Sequence, residues 1–127
     1  MKMKLGHLVN TGNELDALLE ETFKSAFQFK LLRVARLAIP EIKDYFKAIQ
    51  PIIEKYDGKA QEGDRVTFEK ENAVAANKDI LDLQNQEIKL DFEKIKLSDI
   101  ESNLASDSPK IKIKQLLALD WLIDLEA

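Results

Sequence analysis

The stretch Ser25–Gly58, SAFQFKLLRVARLAIPEIKDYFKAIQPIIEKYDG, decides the fold, because no other segment sustains one periodicity for so long. Within it Phe27, Leu31, Val34, Ala38, Ile42, Tyr45, Ile49, Ile52 and Tyr56 recur every three or four residues. That is the helical period, and it stacks these side chains into one stripe. Leu32, Ile39, Phe46 and Ile53 form a second row at seven-residue spacing, set about 100° to one side of the first. Together the rows predict an apolar face broader than a coiled-coil seam, suited to burial against a sheet or several helices. Ser25 and Gln28 have the spacing of a capping box. Asp57-Gly58 supplies the stop, since glycine tolerates the left-handed conformation common past a helix end.

Two prolines lie inside this stretch, Pro40 and Pro51. Each removes a backbone hydrogen bond and clashes with the carbonyl four residues earlier, at roughly 3 kcal/mol. Both fall opposite the apolar stripe, where a bend turns a helix convex toward solvent, and the stripe keeps its phase through both. The favoured reading is one kinked helix about 48 Å long. The rival is two or three shorter helices broken at the prolines.

The rest of the chain supplies shorter pieces. Met1–Leu5 alternates apolar and basic residues, the period of a half-buried strand, with the lone His7 near its end as a solvated or hydrogen-bonded residue rather than a catalyst. Thr11 and Glu14 make a second capping box, for a helix running to about Thr22 with Leu15, Leu18 and Leu19 on one face. GKAQEGD, residues 58–64, is a polar loop without the recurring acids of a calcium site, and Val66–Phe68 is a short strand. Glu69–Gln84 reads as a helix with Val74, Asn77, Ile80, Leu81 and Gln84 on its inner side. In Glu87–Leu97 the inward phase jumps from Ile88, Leu90 and Phe92 to Ile95 and Leu97, which predicts a bulged strand bent near Glu93-Lys94. Ser98 and Glu101 form a third capping box, for a helix ending near Asn103. Lys110–Lys114 alternates like a strand, though Ser108-Pro109 also suits the start of a helix. Leu116–Leu125 is apolar almost all round and predicts a packed C-terminal helix anchored by Trp121, with a projecting docking surface for a partner as the alternative.

The fold class implied is α+β: one long kinked amphipathic helix packed on a small, mainly antiparallel sheet, with shorter flanking helices. Residues 1–127 read as a single domain, large enough for a core without metal or disulfide staples. Cysteine is absent, which removes thiol chemistry, disulfides and Cys-based zinc sites. No apolar run reaches the roughly 20 residues needed to span a bilayer, and MKMKLGHLVN lacks a signal-peptide apolar core. A cytoplasmic chain that engages no membrane is the expectation.

Candidate chemistry is sparse. No catalytic residue, metal ligand or cofactor site is assigned. Asp79, Asp82, Asp91, Asp120 and Asp124 are the residues that a magnesium-dependent nuclease would have to gather, but nothing in the sequence brings them together, and solubilising surface charge is the plainer reading. The glycines are scattered at turns rather than forming a phosphate loop. The outer side of the long helix is more informative. Arg33, Arg36, Lys43 and Lys47 share one side of the wheel, with Asp44 and Glu54 nearby. A solvated face is the default; the functional reading is a basic stripe for an acidic protein partner or a nucleic-acid backbone. The net charge of −4 argues against non-specific nucleic-acid binding, and the absence of interleaved aromatics argues against base stacking.

The segments KMKLGHLVN, FKLLRVARL, IIEKYDGK and LLALDWLID, taken in order, resemble small proteins of unknown function encoded by phages and prophages of Gram-positive bacteria. The resemblance implies a non-enzymatic interaction protein of the infected host's cytoplasm or of the virion. A virion or assembly accessory, including one that forms homo-oligomers through helix faces, is the leading expectation. An inhibitor of a host nuclease or anti-phage defence protein is the alternative, and a metal-dependent nuclease the third.

Overall fold

The computed structural model describes residues 2–60, 66–105 and 109–124. The chain folds as β1 (Lys2–Lys4), α1 (Leu5–Asn10), α2 (Gly12–Leu19), α3 (Ser25–Lys55), β2 (Lys59–Ala60), β3 (Val66–Thr67), α4 (Lys70–Gln84), β4 (Glu87–Lys89), β5 (Ile95–Lys96), α5 (Leu97–Asn103), α6 (Ile113–Ala118) and β6 (Ile123–Asp124). This is an α+β architecture around one long helix. The strands, however, do not join into the one sheet expected. Among the described residues they form three separate two-stranded pieces: β1 with β4, β2 with β3, and β5 with β6. The first two are antiparallel and the third is parallel.

Helix α3 runs unbroken for 31 residues through both prolines. Pro40 and Pro51 are exposed, so the carbonyls that lose their partners, those of Arg36 and Lys47, lie on the side where water can replace the missing amide. The buried residues Phe27, Leu31, Val34, Ala35, Ala38 and Tyr45 follow the first stripe read from the sequence. The second row does not follow them: Leu32 is 45% exposed and Phe46 50%. The buried face is therefore narrower than the periodicity suggested.

Neither end of α3 works as the sequence implied. Its N-cap is Lys24, without a side-chain cap from Ser25. The entry is clamped by tertiary bonds instead: the Lys24 amide donates to the Asn103 carbonyl at 2.9 Å and the Ala105 amide to that of Thr22 at 2.8 Å, flanking a Phe23–Leu104 bridge. At the other end the Gly58 amide donates to Ile53 at 2.8 Å and the Asp57 amide to Glu54 at 3.4 Å, the pair of bonds of a Schellman closure. Asp57, not Gly58, takes the left-handed conformation, with φ 52°. Gly58 is needed for space: a Cβ there would sit 2.8 Å from both Phe68 and Val66 and 2.9 Å from Ile53.

Other local expectations shift in informative ways. Leu5 leaves the N-terminal strand and opens α1, which places His7 on a helix and buries Leu5, Gly6 and Leu8. Thr11 precedes α2 but gives that helix no side-chain cap. Its hydroxyl lies 3.0 Å from the Leu8 carbonyl and 3.2 Å from that of His7, and it accepts the Trp121 indole N–H at 2.8 Å. A tertiary donor 110 positions away has displaced the local cap. Helix α5 forms as read, but Lys96 is its N-cap and Ser98 makes no cap bond.

The bulged strand of residues 87–97 is in fact two strands. β4 pairs with β1, Met3 opposite Ile88, and β5 pairs with β6, Ile95 opposite Ile123. The inward phase changes because the two halves belong to different sheets. On α4 the expected inner face is rotated: Ala76 is fully buried while Val74 is 80% and Leu81 54% exposed. Polar bonds fix the register of α4 on α3. Tyr56 donates to Asp79 at 2.9 Å, and Gln84 to the Tyr45 hydroxyl at 3.0 Å.

The alternation in Lys110–Lys114 is not a strand. The amides of Lys110 and Ile111 donate to one carboxylate oxygen of Glu21, at 2.6 and 2.7 Å, and the chain then enters α6. The C-terminal apolar run splits into α6, a turn and β6 rather than one helix, but it packs as expected. Leu116, Leu119, Trp121, Leu122 and Ile123 join Leu8, Leu15, Leu18 and Ile100 in the core, and Phe92 meets Trp121 edge-on at 5.9 Å.

Candidate interaction surface

Because α1, α2 and α4 cover only one stripe of α3, the rest of that helix faces outward. Arg33, Arg36, Lys43 and Lys47 are all exposed. None of the four ion-pairs with another described residue; the described ion pairs are Lys2–Glu87 and His7–Asp120. The side of α3 read as a basic stripe thus carries cations that form no ion pair among the described residues.

Aromatic and aliphatic side chains accompany these cations, contrary to the sequence reading. Phe29 is 57% exposed, and with Leu32, Leu37 and Phe46 it makes α3 the carrier of half of the large exposed apolar side chains among the described residues. Leu32, Ile39 and Phe46 form the row nearest Arg36 and Lys43. The signal that could have revealed this was the seven-residue spacing itself. A row repeating every seven residues drifts off a stripe of period 3.6 and marks a seam rather than a core face.

Two concavities border the helix. On one side lies an open cleft of about 630 Å³, with Lys30, Arg33 and Arg36 on one wall and Asp91, Phe92 and Glu93 on the other. On the opposite side is an apolar groove of about 190 Å³ between Leu19 and Phe23 and the α3 residues Leu31, Leu32, Ala35 and Ile39. The groove places the C-terminal end of α2 beside Leu31 and Leu32. The start of α2 lies further along, since a Cβ on Gly12 would touch Ile42 at 3.9 Å. Helix α2 therefore runs antiparallel to α3, with exposed Asn13, Asp16 and Glu20 along its outside.

The lone histidine has a partner that the sequence could not show: His7 Nε2 lies 2.7 Å from Asp120 Oδ1. The pair is exposed and borders a shallow hollow with Lys2 and Lys94. Its geometry is that of a surface tie between α1 and the C-terminal turn. Of the other aspartates considered, Asp79 accepts from Tyr56. No group of three or more His, Cys, Asp or Glu residues that could hold a metal ion occurs among the described residues. Among them, too, no helix is long and apolar enough to cross a membrane.

Comparison with protein-family models, with curated proteins and with solved structures finds no match.

Proposed function

We propose that this is a non-enzymatic interaction protein that docks protein partners on the outer face of α3. The observation that carries the reading is the coincidence, on the longest element, of Arg36 and Lys43, which form no ion pair among the described residues, with the exposed Leu32 and Phe46 and the partly exposed Ile39 between them. Exposed apolar rows rimmed by charge are the usual composition of a protein contact, where the apolar centre supplies affinity and the rim supplies orientation. A phosphate backbone would engage the cations but leave the apolar row wet, which favours a protein over a nucleic acid. Within that reading a virion or assembly accessory is the leading role, and the resemblance to phage-encoded proteins supplies the phage context without choosing between it and a host-directed inhibitor.

The test is site-specific photo-crosslinking in cells producing the full chain, with the reactive group at Phe46 and, as a reference, at Val74 on α4. Adducts formed from Phe46 and lost on R36E/K43E, with the melting temperature unchanged, support the reading. Adducts that form equally from Val74, or that persist in the charge-reversed protein, refute it.

A further inference from the structure

We infer that the partner of this face is a second copy of the same chain, in a two-fold dimer whose α3 helices lie parallel and in register. The inference rests on the interaction reading above and adds to it the identity and orientation of the partner.

The seam has the spacing that pairs two helices. Leu32, Ile39, Phe46 and Ile53 fall at one core position of a heptad and Ile42 and Ile49 at the other, where Ala35 is already buried within its own chain. That pattern winds two helices around each other with knobs into holes. Leu32 and Phe46 are about half exposed and Ile39, Ile42, Ile49 and Ile53 partly so, so the single chain leaves the seam half covered.

The two edges of the seam carry opposite charge. One edge is Arg36 and Lys43. The other is α2, where Gly12 lies close to Ile42 and Leu19 lines one groove with Leu32. Asp16 lies one turn from each of those residues, on the same flank of α2, and Glu20 follows one turn later; both are exposed. Because α2 runs antiparallel to α3, Asp16 stands level with the stretch between Leu32 and Ile42, where Arg36 is.

Symmetry then selects the arrangement. In an antiparallel pair each edge meets its own kind, cations against cations and α2 against α2. In a parallel pair each edge meets the other kind. Arg36 of each copy then faces Asp16 of the other, twice by symmetry. Phe29, on the cationic side and 57% exposed, is carried toward the apolar groove beside Leu19 and Phe23 of the other copy. An acidic helix from an unrelated protein would satisfy the cations but oppose Asp16 and Glu20, and duplex DNA would do the same. A second copy satisfies both edges.

The chain contains no cysteine, so the test is direct. Sedimentation of the full-length protein over a wide concentration range should give a reversible dimer. R36D and D16R should each weaken it about tenfold or more, and D16R/R36D should return it to near the original affinity, as a charge pair measured by a double-mutant cycle does. L32C should form a disulfide with itself on mild oxidation, and L32C mixed with F46C should give no preferred cross-pair. A monomer at every concentration overturns the inference, as does a dimer that the charge swap fails to restore. Cross-pairing of L32C with F46C in preference to self-pairing also overturns it. Binding of a synthetic acidic helical peptide, or of duplex DNA, by a monomer through Arg36 and Lys43 overturns it as well. A monomer whose Phe46 photo-adducts still depend on Arg36 and Lys43 leaves the interaction reading standing alone. A dimer indifferent to every α3 substitution removes both.

Discussion

Glu21 offers the sharpest test of how the C-terminal third is held. It is 7% exposed, and a single oxygen of its carboxylate accepts the amides of Lys110 and Ile111 at 2.6 and 2.7 Å. Glu21→Ala would leave both amides without an acceptor, the one from Ile111 in a buried setting. An orphaned buried donor costs about 1–3 kcal/mol, and water can reach the more exposed Lys110 amide. The two together should cost about 3 kcal/mol. Glu21→Gln keeps an oxygen in place but removes the charge that strengthens both bonds, and should cost about 1 kcal/mol. Urea unfolding followed by the fluorescence of Trp121, the one tryptophan in the chain, reads both values. Hydrogen exchange at residues 110–116 should accelerate more in the alanine variant than exchange in α3. A loss below about 0.5 kcal/mol in Glu21→Ala would refute the reasoning, since a bond geometry this short cannot then be bearing on stability. Equal losses in the two variants would show that charge, not acceptor geometry, is what matters.

Three further substitutions probe places where the structure reassigns a role. Gly58→Ala should cost about 1–3 kcal/mol by overpacking against Phe68, Val66 and Ile53, whereas Asp57→Gly should gain up to about 1 kcal/mol by relieving its φ of 52°; urea midpoints in the reverse order would contradict the assignment. Thr11→Val should cost about 1–3 kcal/mol, because the Trp121 indole N–H loses its acceptor at 2.8 Å, and an unchanged denaturation midpoint would count against that bond. Pro40→Ala should stabilise by about 2 kcal/mol, the gain of an amide for the Arg36 carbonyl less the added freedom of the unfolded chain. A lower melting temperature would mean that the proline ring itself is packed.

The elements were legible wherever a long periodicity met no tertiary competitor. α3 kept its phase over 31 residues, and neither proline broke it because both face away from the core. Caps were misread for a single reason. Ser25 and Thr11 have the local spacing of capping residues, but local bonds of about 1 kcal/mol give way when a distant partner fixes the same backbone. Trp121 takes the Thr11 hydroxyl, and the Asn103 carbonyl takes the Lys24 amide. The strand at residues 87–97 was misassigned because alternation reports a buried face without naming the sheet that buries it. Nothing local distinguishes a bulge from a change of partner. The same limit hid the His7–Asp120 contact and the role of Glu21, both made with residues roughly ninety or more positions away.

The exposed seam and the missing sheet are one phenomenon. A single sheet lying across α3 would have covered both apolar rows, and the broad face read from the sequence presupposed it. The structure has pieces of two or three residues per strand, too small to shield a helix of about 46 Å. The covering falls to α1, α2 and α4, and helices packed side by side on a cylinder shield only the stripe between them. Leu32, Ile39 and Phe46 lie just outside that stripe. They cannot turn inward without rotating α3 and exposing Leu31, Ala38 and Tyr45, which are at most 5% exposed. A helix with more apolar circumference than its own chain can cover must meet water or another surface. The flanking charges, positive along Arg36 and Lys43 and negative along Asp16 and Glu20, are the ground on which a second α3 is proposed as that surface.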